Sequence, residues 1–92
     1  MINIGLETPK EISMKIAANM RSRRKERKLS MEKLAEISGV SYGSIRRFES
    51  TGEIALMSLL KIAEVLGSTE EFYSLFSKAE PSSIEEIING NI

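Results

Sequence analysis

Ninety-two residues suffice for one small domain built around a single hydrophobic core. The chain has no cysteine, no histidine and no aspartate, which excludes a disulfide framework, a thiolate metal site and histidine-based acid–base chemistry. Thirteen Lys/Arg balance thirteen acidic side chains, yet the balance is uneven along the chain. Residues 1–50 hold eleven Lys/Arg against six Glu, a sum of +5, and residues 51–92 hold two Lys against seven Glu, a sum of −5. The field that a partner meets depends on where charge sits, so a neutral total does not argue against a polyanionic ligand. No apolar run approaches the ~20 residues of a membrane span, and no basic segment leads an apolar one at the start. A soluble, cytoplasmic chain with no membrane partner is expected.

Residues 1–8 read as an N-terminal arm that ends in a helix signal. Thr8 caps, Pro9 suits the first helical position, and Glu11 completes a capping box. Ile12, Ile16 and Met20 then recur at four-residue steps, which predicts one long helix to about Arg27. Ser30 caps a second, short helix carrying Leu34, Ala35 and Ile37, closed at Gly39. Ser41 caps a third, with Ile45 and Phe48 facing inward, closed at Gly52. Leu56 to Leu66 form a strongly apolar fourth helix ended by Gly67, with Ala55 standing where a cap belongs. Ser68-Thr69-Glu70-Glu71 opens a fifth helix with Phe72, Leu75 and Phe76 on one face, and Pro81 breaks the chain. Residues 79–92 form a tail whose Ile84, Ile87 and Ile88 are too many apolar groups to stand free. Residues 1–7 are too short and mixed to assign, either a frayed arm or a short strand, and no β-hairpin pattern appears. The expected fold class is all-α, a five-helix bundle over residues 9–78 with a short C-terminal tail.

The second and third helices carry the informative spacing. Two short helices crossing steeply need a small residue at their contact, a turn residue that tolerates positive φ, and apolar anchors on both sides. Ala35, Gly39, and the set Leu34, Val40, Ile45 and Phe48 supply these in turn. A helix held this way turns its outer face, Ser41, Tyr42, Gly43, Ser44, Arg46 and Arg47, away from the body. Such a face fits a major groove about 12 Å wide.

The stretches "KLSMEKLAEISGVSYGSIRRFE" and "SLLKIAEVLG", from Arg24 through Leu66, resemble the XRE (Cro/C1-type) helix-turn-helix domain of phage repressors and bacterial regulators. The resemblance implies that the helix after Ser41 is a recognition helix. On that basis Tyr42, Gly43, Ser44 and Arg47 match positions that face bases, while Arg46 matches one nearer the DNA backbone. It further implies an ion pair between Arg24 and Glu49. The chain departs from the family habit in having no glutamine at the base-facing positions, and Met31 stands where glutamine often begins helix 2.

Each of these residues also has an ordinary structural use. Ser30 and Ser41 are helix caps first, and their hydroxyls and neighbouring amides also suit phosphate. Lys25 and Lys28 sit in a basic helix end that is favourable against the helix dipole, and they are placed to reach phosphates as well. Phe72, Leu75 and Phe76 serve either as core or as a two-fold interface. Ile84, Ile87 and Ile88 pack back, pair across a dimer, or await another protein. The expected function is sequence-specific binding of double-stranded DNA as a regulator, a repressor acting as a homodimer on a pseudo-palindromic operator. The competing expectation is an antitoxin-like protein that holds a partner protein through its C-terminal part. No enzyme is expected, since the serines occupy caps and no histidine is present to activate them.

Overall fold

The computed structural model describes residues 7–78. Five helices follow one another, α1 (Pro9–Glu26), α2 (Met31–Ser38), α3 (Tyr42–Thr51), α4 (Leu56–Leu66) and α5 (Glu70–Tyr73), with no strand among the described residues. The fold is all-α. The C-terminal tail, Ile84, Ile87 and Ile88 included, lies outside the described residues, as does most of the N-terminal arm.

Local chemistry accounts for most helix boundaries. The Thr8 hydroxyl accepts from the Glu11 amide at 3.1 Å, and a Glu11 carboxylate oxygen accepts from the Thr8 amide at 2.9 Å. The bonds from Thr8 favour the charged form of Glu11 and hold its pKa below the ordinary value. Ser30 accepts from the Lys33 amide at 3.0 Å and Ser41 from the Ser44 amide at 3.1 Å. Gly39 and Gly52 end α2 and α3 in the left-handed region, at φ 77° and 79°, where a Cβ is strained.

One core unites the first four helices: Ala17, Met20, Leu34, Val40, Ile45, Phe48, Ile62 and Leu66, with Leu29, Ala35, Ile54 and Leu59 packed around it. Along α1 the buried line is Ala17, Met20 and Arg24, while Ile12 and Ile16 remain 47% and 43% exposed. Steps of four residues overshoot a full turn by about 40°, so a stripe of that spacing slides off the core-facing side. The start of α1 is also stitched to the end of α3. Lys10 Nζ donates to the Thr51 carbonyl at 2.5 Å, and Gly52 lies so close to α1 that a Cβ there would stand 2.6 Å from Ser13 Oγ.

The fifth helix departs from the sequence pattern. It is a single turn without a side-chain cap, and the chain beyond it turns through i to i−3 bonds, Leu75 to Phe72 and Ser77 to Ser74. Phe76 takes φ 62° and is fully exposed, Leu75 is half-exposed, and Phe72 is partly covered. Phe72, Leu75 and Phe76 therefore do not share one helical face. A short uncapped helix has no cooperative length to carry it onward, and α1 and α4 only border Phe72 and Leu75 along an open groove.

Candidate nucleic-acid interface

α3 owes its position to its inner face. Ile45 and Phe48 are buried in the core, Val40 anchors the turn before the helix, and Leu34 seats α2 against the same core. This leaves Tyr42, Gly43, Arg46 and Arg47 exposed on the outer side, with Ser44 half-buried. The Ser44 hydroxyl is engaged locally, 2.8 Å from Ser41 Oγ. Gly43 is helical, and a Cβ built there would meet nothing within 4 Å, so the protein's own packing does not require a glycine at this position.

The electrostatics of α3 are settled by one buried contact. Glu49 is the only carboxylate on the helix, and Arg24 of α1 grips it with two parallel bonds, Nε to Oε2 at 2.7 Å and Nη2 to Oε1 at 2.9 Å. Both side chains are 8% exposed. Arg24 Nη1 also donates to the Leu29 carbonyl at 2.8 Å, so one guanidinium ties α1 to α3 and to the residue before the Ser30 cap. Bidentate arginine–carboxylate pairing gives strong, direction-specific bonds. With Glu49 neutralised inside, the exposed charge of α3 is that of Arg46 and Arg47, and the helix N-terminus adds a partial positive charge beside them.

Arg47 is not free. Its Nη2 donates to Glu53 Oε1 at 2.5 Å, with the two side chains 66% and 57% exposed. Glu53 escapes a sequence-based search because the pair spans six residues across the Gly52 turn, a spacing that no regular helix brings together. Ser30 and Ser41 stand exposed at the starts of α2 and α3, and Lys25 and Lys28 are exposed at the end of α1. Lys28 holds a left-handed φ of 57° in the turn between α1 and α2. Among the described residues no three His, Cys, Asp or Glu gather to hold a metal, and no helix is long and apolar enough to cross a membrane.

The helix-turn-helix family model matches residues 20–73, more than half of the chain and all of α2, α3 and α4. The chain belongs to the Cro/C1-type helix-turn-helix family. As a member of this helix-turn-helix family it is a sequence-specific DNA-binding transcription regulator, with double-stranded DNA as its partner. Comparison with curated proteins and with solved structures returns no match. Within the helix-turn-helix unit, the structure brings Tyr42, Gly43, Arg46 and Arg47 onto one exposed surface, while Phe72 lies at the C-terminal end of the matched segment and Leu75 and Phe76 just beyond it.

Proposed function

We propose that the protein is a homodimeric repressor whose α3 enters the major groove of a pseudo-palindromic operator. The observation that carries this reading is the outer face of α3, where two exposed arginines stand on a helix whose only carboxylate is buried against Arg24. Tyr42, Gly43, Ser44 and Arg47 contact base edges. Arginine bonds bidentately to guanine O6 and N7, worth about 1–3 kcal/mol of discrimination per pair. Arg46, Lys25, Lys28 and the helix starts at Ser30 and Ser41 hold the DNA backbone, where salt weakens binding with a log–log slope of about −0.9 per phosphate. The Arg24–Glu49 pair fixes α3 at the angle this requires.

One such unit offers few base contacts, and a two-fold pair doubles them over half-sites about 34–36 Å apart. Repression by occlusion needs only stable occupancy of that site. Exposed apolar side chains among the described residues, Leu75 and Phe76 with the partly covered Phe72, support the two-fold contact. Selection of binding sites from random DNA, run with wild type and Arg47→Ala, tests the reading. Loss of preference at one base pair per half-site is expected. A uniform loss across all sequences reduces Arg47 to a backbone contact.

A groove of about 440 Å³ favours a second reading. Ile16, Met20, Leu56, Leu59, Phe72 and Leu75 line it, and they suit an apolar segment of a partner protein, as in an antitoxin-like regulator. A protein that co-purifies with the full chain from its native host, and is lost on truncation after Ser77, supports this reading over the plain repressor.

A further inference from the structure

We infer that Glu53 is a specificity-determining residue that acts through Arg47, holding its guanidinium in one orientation and penalising DNA that offers this arginine no base to bond. The inference rests on the reading of Arg47 as a base contact. The Arg47 Nη2–Glu53 Oε1 bond of 2.5 Å joins two solvent-exposed side chains, and pairs of that kind add little to folding. The pair is nevertheless well anchored. The Glu53 amide donates to Thr51 Oγ1 at 3.2 Å, Thr51 Oγ1 donates to the Arg47 carbonyl at 2.6 Å, and Lys10 holds the Thr51 carbonyl. Gly52, between them, is pressed against Ser13. The carboxylate therefore hangs from backbone that is tied through Thr51 to the Arg47 carbonyl.

A guanidinium has five N–H donors. Glu53 engages one, and enough remain for a bidentate bond to a guanine edge. A long side chain held in place loses less freedom on binding than one that must be ordered from solvent. The carboxylate also acts against the wrong sequence. Where Arg47 finds no acceptor on the base and swings to a phosphate, Glu53 is left as an unpaired negative charge beside the DNA backbone. Repulsion of that kind against unwanted partners is half of specificity.

The experiment uses the full chain and two duplexes, the selected operator and the same operator with the Arg47-dependent base pair replaced, with Kd measured by fluorescence anisotropy at one salt concentration. Wild type should separate them about 5- to 150-fold, the range of one bidentate arginine–guanine contact. Glu53→Ala and Glu53→Gln should shrink that ratio several-fold, chiefly by tightening binding to the replaced duplex, while the urea unfolding midpoint stays in place. On an Arg47→Ala background, Glu53→Ala should leave the ratio unchanged. Equal tightening on both duplexes would make Glu53 a general repellent and overturn the inference. If Arg47→Ala abolishes the ratio and the Glu53 variants do not touch it, the inference alone fails. If Arg47→Ala leaves the ratio intact, direct reading by Arg47 fails, and the inference falls with it.

Discussion

From Ser30 to Gly52, both helices begin at a serine that bonds its first turn and end at a glycine in the left-handed region. From Ala55 onward neither α4 nor α5 has a side-chain cap, and Leu56, Met57, Tyr73, Leu75 and Phe76 are each more than half exposed. The first region buries Leu34, Val40, Ile45 and Phe48, leaves Ile37 and Tyr42 as its exposed large apolar side chains, and otherwise shows charge and hydroxyls, whereas the second shows more apolar surface. On the proposed reading, the difference separates two tasks. A surface that reads a polyanion must be rigid and polar before its partner arrives, because ordering side chains on binding weakens affinity. A surface that joins another protein gains from the burial itself, and it stays apolar until then.

The largest test of the rigid region is Arg24→Ala. It leaves the buried Glu49 carboxylate with only the exposed Arg21 guanidinium, 3.8 Å away, and should destabilise the fold by about 3 kcal/mol in urea unfolding. Arg24→Met combined with Glu49→Leu should lose clearly less, because no buried charge remains alone. If the double variant is no better than the single, the pair does more than neutralise charge. The glycines that end α2 and α3 come next. Alanine at Gly39 meets open space, so the cost is the left-handed backbone alone, about 1–2 kcal/mol. Alanine at Gly52 bears the same strain and collides with Ser13 and the Met14 amide, adding about 1–3 kcal/mol. Equal losses at the two positions would mean that α1 yields easily to α3.

These two tests also mark how far the sequence was legible. The caps at Thr8, Ser30 and Ser41 and the stops at Gly39, Gly52 and Gly67 act within three or four residues, so they can be read directly. Leu34, Val40, Ile45 and Phe48 announced their inward face by spacing. Ile12 and Ile16 did not follow theirs, because the rest of the fold decides which side of a long helix meets the core. The extent of α5 was not legible either. The spacing of Phe72, Leu75 and Phe76 describes a face, and whether anything covers that face is a tertiary matter. Within the site, the partnership of Arg24 with Glu49, 25 residues apart, was suggested by family resemblance and not by local pattern. Glu53 was missed because only the Gly52 turn brings it back to Arg47.

Gly43→Ala sets folding against binding at a single position. Removing a helical glycine with open space around it should stabilise the protein by about 0.5–1 kcal/mol. The same methyl would enter the gap between α3 and DNA, so operator affinity should fall as the melting temperature rises. A variant that gains in both places Gly43 away from the DNA surface.

The smallest effect on folding is expected at the apolar end. Phe76 is fully exposed, so Phe76→Ser should leave stability within about 0.5 kcal/mol of wild type. On the proposed homodimer, its effect is expected at the two-fold contact: sedimentation should report weaker self-association, and affinity should drop for a full operator much more than for an isolated half-site. The half-site is the internal control, because one protomer and its α3 suffice to bind it. An equal drop on both would mean that the substitution disturbs the DNA-reading region from a distance, and the separation between the two regions would fail. No change on either would remove Phe76 from the two-fold contact. Leu56 and Leu75, both exposed beside the groove, would then be the next positions to substitute.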